Sequence, residues 1–388
     1  MEDIAPFELL KTYPGIIYRQ PIFAVNGQMD VDAYHLTFLD KTGQALADDS
    51  EKPTFLEQIN TVLPTICDQK NILLSVPQSW HEALSQQPSS TFKLRLDVKG
   101  QAPNTDKSTL SYATHAGQQN SSGSEMLLID LKLVEENAVT EWRNSHNLLC
   151  ATNVNSHNGY NVCKAQHLDL VQGQFYTQAA ATKNKKISPS SQTLLELLVK
   201  LQDQEVDPAD LAETINQDVT LSYKLLRLIN SAFFGLPKEI ESIKQAIVML
   251  GQNKIKTWAS LLSLSGLDDK PNELRIVAMT RARMTELLAK YYKGQAETYF
   301  AAGLFSTLDA LMDKPLSSII ERLPLSDELN QALLNRAGAT GHALQDVLNY
   351  ENGDWAAVSQ SPIPVEILVR AYLDAIHWSK ELNAQLHD

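Results

Sequence analysis

The spacing of apolar residues changes about halfway along this 388-residue chain. Up to about residue 180 they gather in short β-rich runs: Ile16 to Ala24, Val31 to Leu39, Ile72 to Val76, Phe92 to Val98, Met126 to Ile129 and Leu148 to Asn153. Helix-like stretches, Thr54 to Asp68 and Val134 to Arg143, lie between several of them. Alternation of this kind predicts an α/β layout with a largely parallel sheet. From Gly100 to Ser124 the chain is polar and poor in aliphatic residues, and reads as a loop or disordered insertion. The junction Ala181 to Ser191 is polar, basic and proline-bearing, and places a domain boundary there. The division expected is residues 1–182, a linker at 183–191 and a helical domain at 192–388.

Beyond the junction the pattern is helical. Leu221, Leu225, Leu228, Ile229 and Ala232 form one apolar stripe, the packing face of an amphipathic helix. Asp207 before Pro208 is an N-cap followed by proline at the first helical position, where the missing N–H costs nothing. Gly235-Leu236-Pro237 stops the helix that carries the stripe. Ser242 with Gln245 makes a capping box, and Gly251 ends the helix it opens.

Composition narrows the classes. Hydrophobic content of 43% and charged content of 20% are ordinary globular values. A net charge of −13 argues against a general nucleic-acid or anionic-membrane binder. The opening residues have no basic segment leading into an apolar core, so no signal peptide is expected. Cys67, Cys150 and Cys163 form no CxxC pair and fit reduced, structural thiols in a cytoplasmic protein. His146 and His157, taken with Cys150 and Cys163, match no standard zinc spacing. The basic run Lys183 to Lys186 reads as a solvated linker. Trp258, Trp355 and Trp378 read as buried anchors.

Longer stretches carry a family resemblance. Leu225-Leu226-Arg227-Leu228-Ile229-Asn230-Ser231, then Ile243 to Ile247 and Leu250-Gly251, resemble the opening of an HDOD domain, an all-helical output module of bacterial signalling proteins. Arg281-Ala282-Arg283, Phe300 to Ser306, Leu323-Pro324-Leu325, Ala332-Leu333-Leu334 and Tyr350 to Trp355 look like its later landmarks, in the subgroup where the domain follows an EAL-type barrel. In the first half, Arg19 to Phe23 and Val31 to Leu36 resemble the first two strands of EAL domains. Leu170 to Tyr176 is similar to a stretch near the end of such barrels. EAL domains are TIM-like barrels that, when active, hydrolyse cyclic di-GMP with two divalent metals. The resemblance therefore implies an α/β plus all-α chain: a truncated or degenerate TIM-like EAL barrel, then an all-helical, HD-like HDOD domain. Ile16 to Thr182 falls well short of the roughly 250 residues a (β/α)₈ barrel usually takes, so one or more β/α units are expected to be missing or replaced.

Phosphodiester cleavage with two metals needs several carboxylates converging on hard cations. At the positions the resemblance assigns, this chain keeps few of them. His35 stands at the signature glutamate and Ser75 at an asparagine ligand. The next glutamate-bearing strand offers only Arg95 or Asp97. Asp130 is kept but Leu128 stands at the family's lysine, the stretch Ala151-Thr152-Asn153-Val154-Asn155 lies where a glutamate, a lysine and a second glutamate belong, and Gln172 survives. In the helical half, Ser306 and Thr307 occupy the positions the resemblance assigns to the His-Asp pair of HD phosphohydrolases, and the literal pair His387-Asp388 is expected to fray rather than bind metal. No catalytic residue, metal site or cofactor is expected.

Candidate interaction residues in the helical half are Arg227, Asn230, Arg281 and Arg283. Against that stand plainer roles: Asn230 capping local backbone, and the arginines solvated or paired. The expected function is a non-enzymatic regulatory scaffold that contacts other signalling proteins, associated through the resemblance with motility and biofilm behaviour. The alternatives are a sensor whose inactive barrel binds cyclic di-GMP or another nucleotide, and a metal-dependent phosphohydrolase.

Overall fold

Short runs of mostly buried residues in the first half build strands that hydrogen-bond in chain order and close on themselves. In the computed structural model, β1 (Ile16–Ala24), β2 (Val31–Leu39), β3 (Asn71–Ser75), β4 (Leu94–Asp97), β5 (Ser111–His115), β6 (Met126–Asp130), β7 (Leu148–Thr152) and β8 (Leu170–Gln172) form one closed barrel. The structure describes residues 5–25, 29–86, 92–98, 111–117, 124–180, 189–231, 234–264 and 270–387. Strands β2 to β8 run parallel, and β1 is antiparallel to both of its neighbours, β2 and β8. Ile22, Leu73, Met126, Leu128, Cys150 and Leu170 belong to one buried apolar cluster contributed by different strands.

Two expectations are corrected here. No strand of the barrel is missing, since eight are present and the ring is closed. The economy lies in the connections, with helices as short as Ile59–Val62, Pro64–Cys67 and His81–Ser85. A barrel needs its full set of strands to satisfy every edge by closure, whereas a connecting helix can shrink to one turn. The stretch Gly100 to Ser124 is not loop throughout, because Ser111–His115 is β5, with Tyr112, Ala113 and Thr114 buried. A five-residue strand set among Ser, Thr and Gly carries too little period-2 signal to stand out.

The chain divides into two units, Met1–Gln178 with Asn352–Leu373, and Ala179–Glu351 with Asp374–Asp388. This differs from an uninterrupted helical domain at 192–388. In the first unit the Trp355 ring meets Tyr18 of β1 edge-on, with centroids 5.1 Å apart. There too the Tyr372 hydroxyl donates to the Arg19 carbonyl at 3.2 Å. Residues 181–188, with the basic run Lys183 to Lys186, lie outside the described residues, as do Ala232 and most of Gly100 to Ser124.

The second unit is helical as read. Asp207 caps helix Pro208–Asn216, and Leu221, Leu225, Leu228 and Ile229 are buried along Val219–Ile229. The Ser242 hydroxyl accepts from the Gln245 N–H, while the Gln245 side chain reaches back to the Glu241 N–H. Gly251, at φ +86°, ends helix Ile243–Leu250 in a conformation open to glycine. The three cysteines are buried and none is in a disulfide; burial pushes both the Cys150 and Cys163 thiols up, Cys163 to about 11. Among the described residues no helix is long and apolar enough to cross a membrane.

Candidate functional site: the barrel mouth and the helical core

Six strands end on a polar residue: β3 on Ser75, β4 on Asp97, β5 on His115, β6 on Asp130, β7 on Thr152 and β8 on Gln172. Parallel register brings these ends to one rim, with Ser75 opposite Asp97 and Asp130 opposite Thr152. The C-terminal ends of parallel barrel strands are where such folds place ligand chemistry. His35 of β2 and Gln20 of β1, paired across the antiparallel ladder, add two more polar side chains.

Four of the residues picked from sequence join in one hydrogen-bonded chain. Ser75 Oγ donates to Asp97 Oδ2 at 2.6 Å and lies 2.7 Å from His35 Nε2. Because the serine proton is given to Asp97, His35 Nε2 is the protonated nitrogen and Nδ1 the acceptor. The Gln172 amide nitrogen serves that acceptor at 2.9 Å and also donates to Gln20 Oε1 at 2.7 Å. The second Asp97 oxygen accepts from His115 Nε2 at 2.7 Å. From Gln172 through His35 and Ser75, and from His115, the protons run toward one carboxylate, while the second Gln172 amide proton goes to Gln20.

The electrostatics follow from this order. Burial pulls the His35 imidazole below its usual range, and the nearby Asp97 charge opposes that without reversing it. Burial alone would raise the Asp97 carboxyl, but the hydrogen bond from His115, the two imidazoles and Ser75 together hold it below the ordinary range. A neutral His35 therefore fits a single ionised carboxylate. Below about pH 6.5, the free imidazole value, the unfolded chain takes up a proton on His35 that the folded chain refuses. Stability should fall as pH drops through that window. His81 is lowered in the same direction by burial, so the measurement is a difference. The melting temperature of His35→Gln should decline less than that of the unaltered protein between pH 7.5 and 5.5, and parallel declines would refute the assignment.

The other rim residues are committed locally. Asp130 accepts from the Lys132 N–H at 2.9 Å and from Asn153 Nδ2 at 2.7 Å. Asn155 accepts from the Gln174 N–H at 2.9 Å, and the Thr152 hydroxyl donates to the Ile129 carbonyl at 3.3 Å. The rim surrounds a cavity of about 660 Å³, lined by His35, His115, Asp130, Thr152, Asn155 and Gln172 with further Asn and Gln side chains. Its described lining includes no lysine or arginine. Among the described residues no group of three or more His, Cys, Asp or Glu is placed to hold a metal ion. Arg95 turns elsewhere, its Nε 3.4 Å from Glu125.

In the helical unit, Ser306 and Thr307 are buried and their hydroxyls donate at 2.7 Å to the Gly303 and Leu304 carbonyls one turn back. Arg281 lies against them, with Nη1 3.4 Å from Ser306 Oγ, and grips Glu351 through Nε at 2.6 Å and Nη2 at 2.7 Å. A bidentate, buried ion pair thus fills the space beside the two hydroxyls. The family model of the HDOD domain matches residues 187–316.

The chain carries an HDOD domain.

Within the HDOD domain the four candidate interaction residues part company. Asn230 closes a loop on its own unit, donating to the Ile240 carbonyl and accepting from the Ile240 N–H, both at 2.8 Å. Arg227 donates to the Gln385 carbonyl at 3.1 Å. Arg281 is internal, and Arg283, paired with Glu286 at 2.6 Å, borders an open cavity.

Among curated proteins the chain is similar to "Cyclic di-GMP phosphodiesterase CdgJ" of Vibrio cholerae, 33% identical over 219 residues, covering 55% of this chain and 51% of that protein. It is also similar to "Uncharacterized protein YuxH" of Bacillus subtilis, 31% identical over 242 residues, covering 61% of this chain and 59% of that protein. The match therefore spans little more than half the length of either relative. Among solved structures, a standalone EAL protein from Vibrio cholerae O395 in its c-di-GMP-bound form is 11% identical with a TM-score of 0.30, covering 41% of this chain and 89% of that one.

Gln20, His115 and Glu351 went unread in the sequence. His115 sat inside the stretch taken for a loop. Glu351 lay within a recognised landmark but had no local sign of its partner, 70 residues away. Gln20 immediately precedes Pro21 in a stretch read for its family likeness, where a lone amide gives no signal.

Proposed function

We propose that this chain is a non-catalytic regulatory protein. Its EAL-like barrel has lost phosphodiesterase chemistry, and its HDOD domain acts through contacts with other signalling proteins in a cyclic di-GMP-linked system. One observation carries the reading. The two rim carboxylates, Asp97 and Asp130, spend their oxygens on protein donors: Ser75 and His115 for the first, Lys132 and Asn153 for the second. A two-metal reaction needs more carboxylates than that, free and converging. The signalling context rests on the name of the Vibrio cholerae relative, whose activity belongs to that protein. Ser306 and Thr307, already bonded to their own helix, speak against a metal-dependent phosphohydrolase in the HDOD domain.

The test is direct. Purified full-length chain with magnesium or manganese and cyclic di-GMP should yield no linear dinucleotide and no GMP above a metal-only control. Turnover that disappears in Asp97→Asn would overturn the reading.

A second reading, an inactive barrel that senses a nucleotide, draws on the cavity of about 660 Å³ at the rim. A dianionic ligand there would meet Asp130 and no cation among the described lining residues, which favours the first reading. Calorimetry with cyclic di-GMP decides between them: saturable heat at micromolar ligand would support the sensor, and none the scaffold.

A further inference from the structure

The helical unit holds a second, larger cavity, of about 830 Å³, whose lining includes neither Ser306 nor Thr307. Helices Gln252–Leu264, Asn272–Tyr292 and Ala296–Phe305 and the last turns of Val365–His387 line it. Its volume lies in the usual range for small-molecule sites, about 300–1,000 Å³.

The wall is aromatic. Trp258, Phe300 and Trp378 form a triangle with ring centroids 5.8–6.0 Å apart. Trp258 and Phe300 are buried, while Trp378 is partly exposed and lines the cavity. Carboxylates face this wall: Glu286, Glu297 and Glu381, against Lys254 and Arg283, so acids outnumber cations. Glu286 is paired with Arg283, and Glu381 lies 3.3 Å from His377. Glu297 has no ion-pair partner among the described residues. Burial raises the Glu286 carboxyl, Arg283 works against that, and the neighbouring Glu297 charge adds to it.

The protein's own side chains already show which chemistry this wall accepts. The Arg283 guanidinium carbon lies 5.6 Å from the centre of a Trp378 ring, and Lys254 Nζ lies 5.9 Å from that of Phe234. Cations sit over aromatic faces at such distances because the ring quadrupole is negative on its face. An unpaired carboxylate beside the same rings supplies the remaining element of a cation site. A solvated inter-helix groove would account for the volume, but not for carboxylates in excess beside an aromatic triangle. An anion would be repelled by that excess.

We propose that this cavity binds a small organic cation, a guanidinium or ammonium group on an alkyl chain, with Glu297 facing the charge and Trp378 the chain. The proposal is independent of the function proposed above, since its ligand carries no phosphate and its site lies outside the barrel.

Calorimetry on the full-length chain at pH 7.5 tests it, with n-butylguanidinium as the probe and n-butylurea as its uncharged analogue. Saturable binding of the cation is expected, with the urea weaker by about ten-fold or more. Glu297→Gln should weaken the cation about ten-fold and leave the urea unchanged; Trp378→Leu should weaken both. Glu297 is half-exposed, so its amide variant should fold, and unchanged circular dichroism will establish that. If Trp378→Leu does not fold, the charge comparison and Glu297→Gln decide alone. Equal affinity for urea and guanidinium, an unaltered affinity in Glu297→Gln, tighter binding of GMP than of the cation, or no heat up to about 50 mM cation (an affinity too weak to count as a site) would each overturn it.

Discussion

Arg281→Met should destabilise the helical unit by about 3–5 kcal/mol, because it removes one member of a buried ion pair and strands the other. Arg281 is 7% exposed and Glu351 16%, so solvent reaches the carboxylate only in part. Two short hydrogen bonds join the pair and a third contact ties Arg281 to Ser306. A surface pair would be worth at most about 1 kcal/mol, and that contrast makes the experiment decisive. Urea unfolding followed by helical circular dichroism supplies the measurement. The double variant Arg281→Met/Glu351→Leu should recover most of the loss, since well-packed apolar residues often replace a buried pair without penalty. A loss below about 1 kcal/mol in the single variant would mean that the pair is solvated in solution.

The second large effect lies where helix Asn272–Tyr292 meets Ala296–Phe305. A Cβ placed on Gly303 would come within 2.5 Å of the Arg281 carbonyl oxygen and 2.6 Å of the Ala282 Cα. Both are backbone atoms, so no side-chain rotation relieves the clash. Alanine in a helix gains about 1 kcal/mol over glycine in propensity, while overpacking costs about 1–3 kcal/mol and at times more. The clash should win, and Gly303→Ala should lose about 2 kcal/mol or more net. If the variant proves as stable as the parent, the two helices do not approach this closely. The affected turn is the one before Ser306 and Thr307, so the variant also probes how firmly those hydroxyls are held.

Local signals carried the helical half. Asp207 before Pro208, Ser242 with Gln245, and Gly251 each act within one or two turns, and each stands in the structure where its spacing placed it. The apolar stripe Leu221, Leu225, Leu228 and Ile229 likewise reports a face its own helix defines. In the barrel, β1 and β2 match their predicted runs because each is nine residues long and rich in β-branched and aromatic side chains. The five-residue β5 did not, and with it went His115.

At the rim, sequence position told which residues stand at which strand ends but not what they do to one another. By position alone His35, Ser75, Asp97 and Gln172 are separate relics of a lost site. The structure joins them, with Gln20 and His115, into a directed chain that keeps one imidazole neutral and one carboxylate charged. The sequence by itself determined helix starts and stops, the longer strands and the order of the two folds, because those depend on periodicity and capping over a few residues. Tertiary structure alone decided that the barrel closes with all eight strands, that Asn352–Leu373 belongs with the barrel, and that Arg281 finds Glu351. Those outcomes depend on contacts between residues tens to hundreds of positions apart, and such contacts leave no mark on the local spacing of apolar and polar residues.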